Sequence, residues 1–251
     1  MTVSVITVCY NATRTIEATM KSVAEQTAVD YEHLIIDGNS SDATLSQVAS
    51  LATKHTVVHS EEDNGIYDAM NKGLEMARGD YVIYLNAGDS FADNQVLQRF
   101  IDAAKASNNR AGVIYGQTMV VDENGRVLGE RHLKAPENLT LKSFRNGMLV
   151  CHQAFMARRD IAPLYDLRYR LSADYEWCIR CLQQSESNVY LGEKPVIHYL
   201  NEGLTTQNHR ASLLERFRIM SHYFGFFSAL GHHITFIGRY LRRRSKATNI
   251  Q

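Results

Sequence analysis

The stretch Asp63 to Asp89, DNGIYDAMNKGLEMARGDYVIYLNAGD, leaves the chain few choices of fold. Asn64-Gly65 is a turn signal. Helical spacing then joins Ile66, Ala69, Met70, Gly73, Leu74 and Ala77 on one face. Arg78-Gly79 supplies the basic last turn and the glycine that close such a helix. Tyr81 to Leu85 is short and almost wholly apolar, as expected of a strand covered on both faces. Asn86, Gly88 and Asp89 follow at its carboxyl end, where an open α/β sheet places its ligand chemistry.

The chain before this stretch follows the same alternation. Val3 to Tyr10 is a buried β-type run, and Asn11 and Thr13 offer N-cap chemistry to a helix with Ile16, Met20 and Val23 on one side. Tyr31 to Ile36 predicts a second strand, which ends in the polar loop Asp37-Gly38-Asn39-Ser40-Ser41-Asp42. A helix with Leu45, Val48 and Leu51 inward leads to a third strand, Thr56 to His59. After Asp89 comes a helix carrying Val96, Leu97, Phe100 and Ile101. Strand and helix thus alternate four times, which predicts a mostly parallel α/β sheet with helices on both faces.

Beyond Ala111 the pattern changes. Val113 to Asp122 and Arg126 to Glu130 are strand-like and joined by the turn Glu123-Asn124-Gly125. Thr140 to Asn146 suits a short helix, and Val150 to Ala157, Val189 to Leu191 and Pro195 to Tyr199 suit strands. Asp174 opens a helix with Trp177, Cys178, Cys181 and Leu182. From Ser212 the chain reads as helical, aromatic and basic. The expected organisation is a domain over 1–211, with a nucleotide-binding-like αβ half (1–111) and a mixed half that would complete a second pocket (112–211), followed by a helical carboxyl-terminal region (212–251).

Zero formal net charge, from Lys+Arg 27 against Asp+Glu 27, gives no global attraction to nucleic acid. Cys9, Cys151, Cys178 and Cys181 are too few for a disulfide scaffold in 251 residues. The opening MTVSVITVCYN lacks a basic n-region and a long apolar run, and reads as a first strand, so a cytoplasmic protein is expected. Neither GxGxxG nor GxxxxGK[ST] occurs, which argues against a dinucleotide site and a P-loop.

Asp37 and Asp89 both fall at expected carboxyl ends of strands. Two carboxylates there suit a nucleotide, one near the base and one holding Mg²⁺ or Mn²⁺ between phosphates. Each also has a structural reading, as a loop or helix cap, and pattern leaves both open. Asp174 at a helix start suits either an N-cap or a general base. His152-Gln153 interrupts an apolar strand, where a lone histidine is more often a packed residue than a ligand. Cys178-x-x-Cys181 has no second pair and lies on an apolar helical face, so buried thiols are expected. The end of the chain, aromatic with flanking arginines, suits a helix at an anionic bilayer surface or one packed on the domain with a solvated tail.

VSVITVCYN, HLIIDGNSSDAT, the Asp63–Asp89 segment, the CHQ around His152, SADYEWCIR and NEGLTT occur in an order that resembles the family 2 glycosyltransferases, which have the GT-A fold. The long central segment is similar to colanic-acid-type exopolysaccharide transferases. The resemblance implies inverting transfer of a sugar from a nucleoside-diphosphate donor to a glycan hydroxyl, on an acceptor that can be lipid-linked. By position it implies that Val8 and Tyr10 line the nucleotide, that Asp37 lies near the base, and that Asn64, Gly65, Asn71 and Asn86 face the donor. Asp89 would be the surviving metal-binding carboxylate of the DxD region, and Asp174 the base that deprotonates the acceptor. Two departures stand out: Asp37-Gly38 replaces an Asp pair of many relatives, and Asn86-Ala87-Gly88-Asp89 keeps one carboxylate of the DxD region. The alternatives are a nucleotidyltransferase and a non-catalytic nucleotide-sugar-binding scaffold.

Overall fold

The computed structural model describes residues 1–201 and 209–234. Its elements run β1 (Val3–Cys9), α1 (Ile16–Ala24), β2 (Tyr31–Asp37), α2 (Thr44–Leu51), β3 (Thr56–Ser60), α3 (Ile66–Met76) and β4 (Tyr81–Tyr84). The second half adds β5 (Ser90–Phe91), α4 (Val96–Ala106), β6 (Val113–Tyr115), β7 (Thr118–Val121), β8 (Val127–Glu130), β9 (Phe155–Arg158), α5 (Ala173–Gln184), β10 (Asn188–Tyr190), β11 (Ile197–Leu200) and α6 (His209–Phe224). A further helical stretch covers 226–234.

Every residue of β1 is buried, because β2 and β4 flank it in parallel and helices cover its two faces. On one face Cys9 and Ile35 pack with Ile16 and Met20 of α1 and Val48 of α2. On the other, Ile6 and Ile36 meet α3 so closely that a Cβ on Gly73 would lie 2.5 Å from Ile6 Cγ2. The seven-stranded sheet has the order β10-β6-β9-β4-β1-β2-β3. The chain winds outward from β1 to β3 and returns through α3 to β4 on the other side of β1. That reversal leaves a crevice at the carboxyl ends of β1 and β4, the place where open α/β sheets bind ligands. β9 runs antiparallel to both β4 and β6, and a smaller sheet, β5-β11-β7-β8, closes one side of the crevice. The architecture is the expected one: a mixed, mostly parallel sheet flanked by helices, with helices in the carboxyl-terminal region.

Three local expectations are corrected. Asn11 and Thr13 do not cap α1, whose first turn follows Thr15 without a side-chain cap. Asn11 Oδ1 accepts the Ser41 N–H (3.0 Å) and Thr13 Oγ1 donates to Asp42, so these residues join the loops after β1 and β2 instead. Val113 to Asp122 is two strands in different sheets, broken at Gly116-Gln117. A Cβ at Gly116 would lie 2.8 Å from both methyl carbons of Val196, so the chain passes between sheets where only glycine fits. Val150 to Ala157 is extended only from Phe155; His152–Ala154 is a 3₁₀ turn. Cys178 and Cys181 are buried free thiols, as expected.

Two stability tests follow from this core. Alanine in a helix ordinarily gains up to about 1 kcal/mol over glycine. At Gly73 the new methyl meets the fully buried Ile6, which has no room to yield, and overpacking of about 1–3 kcal/mol should win. Gly73→Ala should therefore lower the urea midpoint, and a raised midpoint would show that the close approach is soft. His33, buried in β2 with Nε2 2.9 Å from Thr7 Oγ1, is pushed by burial down to about 3, from an ordinary 6.5. It stays neutral in the fold while the unfolded chain takes up a proton, so its contribution is intact above pH 6.5 and lost as pH falls toward 3. Replacing it by Gln should flatten the slope of unfolding free energy against pH in that window by close to one proton, read from urea titrations at a series of pH values; an unchanged slope would mean that His33 already charges in the native state.

Candidate active site

The crevice gathers its polar side chains from six elements. Tyr10, just past β1, is 66% exposed and stands at the mouth, while Val8 is buried in the strand with its carbonyl accepting the Ala87 N–H. Asp37, at the end of β2, is fully buried. Its carboxylate accepts the Ser40 hydroxyl and N–H, the Ser60 hydroxyl at 2.7 Å and the Cys9 thiol. Burial alone would raise its pKa, but the Ser40 and Ser60 hydrogen bonds outweigh it and hold the carboxyl below its ordinary value. Asp37 therefore shapes the loop beside Tyr10 as an anion with its oxygens engaged. Beside it, a Cβ at Gly38 would lie 2.5 Å from Asp63 Oδ2, so a side chain there would have to displace the Asp63 carboxylate.

At the start of α3, Gly65 takes a left-handed φ of +116° that glycine alone adopts readily. Asn64 is exposed, and its backbone and side-chain N–H groups donate to Asp68 (2.9 and 3.1 Å). Asn71 lies deeper: its amide gives to the Tyr165 carbonyl (3.0 Å) and takes from the Tyr165 N–H (2.6 Å). Asn64 and Gly65 thus lie exposed at the start of α3, whereas Asn71 joins α3 to the loop before α5.

The two remaining carboxylates are organised by one turn. Gln153 Nε2 donates to Asp89 Oδ2 at 2.7 Å, and the Leu200 N–H donates to Asp89 Oδ1 at 3.0 Å. The adjacent residue, His152, places Nδ1 3.4 Å from Asp174 Oδ2 and Nε2 3.3 Å from Asn86 Nδ2. Asp174 Oδ1 accepts the Tyr67 hydroxyl (3.2 Å) and the Tyr175 N–H (2.9 Å). Asp174 lies in the first turn of α5 but is not its cap, since Ser172 precedes the helix without a side-chain cap bond. Its side chain keeps 17% exposure, enough to meet a bound hydroxyl.

The environments of these carboxylates differ in sign. Burial pushes Asp89 up to about 6, despite the donors from Leu200 and Gln153. Asp174 is also penalised by burial, but His152, with help from the Arg216 charge, holds its carboxyl below the ordinary value. Two acids pushed apart by surroundings are a common mark of divided labour in catalysis. His152 and Gln153 were legible in the sequence only as an interruption of an apolar run; their place between the carboxylates is a tertiary fact.

Among the described residues no group of three or more His, Cys, Asp or Glu side chains is placed to hold a metal ion. Asn86 Oδ1 is nonetheless a buried oxygen with no hydrogen-bond partner, three residues from Asp89. One carboxylate and one amide oxygen are hard donors that fit Mg²⁺ or Mn²⁺ when phosphate oxygens complete the sphere, and do not make a cage on their own.

Comparison with known proteins agrees with the fold. The family model Glycosyl transferase family 2 matches residues 4–163. A PGL/p-HBAD biosynthesis glycosyltransferase of Mycobacterium bovis is 34% identical over 185 residues, covering 71% of this chain and 68% of the relative. An amylovoran biosynthesis glycosyltransferase of Erwinia amylovora is 28% identical over 188 residues, 70% of this chain and 62% of the relative. Among solved structures, S. aureus TarS 1-349 in complex with UDP-GlcNAc superposes with a TM-score of 0.71 at 20% identity, over 88% of this chain and 64% of TarS 1-349. The mannosyltransferase PcManGT of Pyrobaculum calidifontis, in complex with GDP-Man and Mn²⁺, gives 0.63 at 14% identity, over 99% of this chain and 80% of that one. The NEGLTT segment lies, after Asn201, outside the described residues; with the family model spanning most of the sheet and a relative 34% identical over 71% of this chain, the chain belongs to glycosyl transferase family 2.

Proposed function

We propose that this protein is an inverting glycosyltransferase that moves a sugar from a nucleoside-diphosphate donor to a hydroxyl of a cell-surface polysaccharide or similar glycan. The observation that carries the proposal is the His152-Gln153 turn, which holds Asp89 on one side and Asp174 on the other. In this reading the nucleotide lies across the ends of β1 and β2, with Val8 and Tyr10 as its wall and Asp37 near the base, through the loop that it fixes. Asn64, Gly65 and Asn86 face the sugar and diphosphate, and Asn71 supports that wall from behind. Asp89 with Asn86 would hold a divalent ion. Such an ion would offset the charge that builds on the departing diphosphate.

Asp174 has the features of the base. Its lowered pKa keeps it ionised, and Oδ2 carries a lone pair beyond the one turned to His152. It would take the acceptor hydroxyl proton as that oxygen bonds to the anomeric carbon, while the bond from that carbon to the diphosphate breaks on the opposite face. Configuration inverts because attack and departure lie on opposite sides of the sugar. A positioned base of this kind contributes about 10²–10⁴-fold. The nucleotide-sugar complexes of the two solved structures support the donor class, and the Mn²⁺ of one supports the ion. The two biosynthetic relatives support a glycan product. The acceptor is read as lipid-linked and the protein as cytoplasmic, working at the cytoplasmic face of an anionic membrane; none of the described helices is long and apolar enough to cross one.

A thermal-shift panel of UDP-, GDP- and dTDP-sugars with Mg²⁺ or Mn²⁺ should identify the donor, since a ligand of the native state raises its stability by mass action. With that donor, Asp174→Asn should lose transfer by at least about a hundredfold while keeping the donor-induced shift. Full transfer by Asp174→Asn would dismiss it as the base, and tight binding with no turnover against a broad acceptor panel would favour the scaffold reading. His152→Ala should lower kcat roughly tenfold or more through a misplaced Asp174, with donor KM little changed. His152→Gln, which can still donate to the carboxylate, should recover part of that rate. Equal kcat in wild type and His152→Ala would reduce His152 to packing.

A further inference from the structure

The described carboxyl-terminal region folds as a helical hairpin, and one side of it has no cover. α6 packs inward through Ile219 and Met220, both buried. Gly225, at a left-handed φ of +85°, turns the chain into 226–234. The second arm returns along the first: Phe217 meets Phe226 and His233 edge-on at 5.6 and 5.1 Å, and His233 Nε2 lies 3.3 Å from the Leu213 carbonyl. Ala229 is buried against the fold, yet Phe226, Phe227, Leu230 and Ile234 are 55%, 86%, 41% and 62% exposed. Their spacing places them along one helical side as a ridge. A ridge of large apolar groups exposed to water is a surface waiting for a partner.

The sequence that follows the ridge says which partner. No Asp or Glu occurs after Glu215, while Arg239, Arg242, Arg243, Arg244 and Lys246 follow the hairpin in the sequence. We propose that the Phe226–Ile234 ridge and this cationic run dock the protein on an anionic lipid bilayer, apolar side chains at the acyl boundary and cations among the headgroups. A second copy of the chain fits less well, because a symmetric contact would bring like-charged runs together.

The hairpin is tied to the site. Glu215 accepts the N–H groups of Arg170 (3.0 Å) and Leu171 (2.8 Å), and Ser212 Oγ lies 3.2 Å from Ser172 Oγ. Tyr223 donates its hydroxyl to Glu176 in the first turn of α5. The docked surface is therefore joined to the loop and helix start that carry Asp174, which turns the acceptor side toward the membrane. This last step rests on the reading of Asp174 as the base acting on a lipid-linked acceptor.

The test uses the full chain with vesicles of phosphatidylglycerol and phosphatidylcholine, beside vesicles of phosphatidylcholine alone. Co-sedimentation should occur with the anionic vesicles and weaken as salt rises. The combined variant Phe227→Ser, Leu230→Ser, Ile234→Ser should bind at least roughly tenfold more weakly. It should keep its thermal midpoint and its donor hydrolysis in solution. Replacing Arg242, Arg243 and Arg244 by Gln should weaken binding by about fivefold per residue and flatten its salt dependence. The docking proposal is overturned by equal binding to neutral vesicles, by no binding, or by unchanged binding of the combined variant. Self-association without lipid that the combined variant abolishes would overturn it in favour of a second copy. Normal vesicle binding with no glycosyl transfer would instead count against the proposed function alone.

Discussion

The buried charge of Asp174 is the constraint on which the acceptor half depends. An ionised carboxylate loses hydration when the protein closes over it, and stays ionised only if other groups replace the water. Here the replacements come from far apart in the chain: the Tyr67 hydroxyl from α3, His152 from the turn before β9, and the Arg216 charge from α6. Behind the carboxylate lies an aromatic stack. Tyr67 faces Tyr165 at 5.5 Å, Tyr165 faces Trp177 at 5.3 Å, and Tyr84 of β4 meets both edge-on. These rings give Asp174 a rigid apolar backing, and the three polar partners fix its direction.

Asp89 faces the opposite problem. It too is buried, but its neighbours are the neutral donors Gln153 and Leu200, and its carboxyl is pushed up rather than down. The raised carboxyl is the one held by neutral donors, whereas the lowered one stays ionised beside His152 and Arg216. The same dipeptide, His152-Gln153, separates the two cases by one residue. Two carboxylates of opposite pKa direction are thus held by adjacent residues of the same turn.

The first half was legible because its signals are local. Alternating apolar runs and the Asn64-Gly65 turn mark β1 to β4 within a residue or two, although α3 ends at Met76, before Arg78-Gly79, with no basic residue in its last turn. The errors fall where a distant group decides. Asn11 and Thr13 have cap chemistry, yet the loop after β2 offers them better partners. The apolar run from Val113 continues smoothly in sequence, and only Val196, from another strand, explains the break at Gly116. Asp89 and Asp174 could be picked out by type and position, but their partners could not, because hydrogen bonds across 64 residues leave no periodicity to read. Asn71 shows the limit from the other side: the resemblance implies that it faces the donor, and its amide is engaged by the backbone of Tyr165.

The grip of α6 on residues 170–172 has a consequence for how the molecule is made. Chains emerge from the ribosome amino end first, and units of local contact can form as they appear. The sheet from β1 to β4 has its neighbours close in sequence and can assemble early. The acceptor side cannot, because Glu215 and Ser212 must emerge before the turn into α5 is anchored. A nascent chain would thus pass through a stage with a formed crevice between β1 and β4 and an unanchored Asp174, and the site would be complete only as the last helix docks.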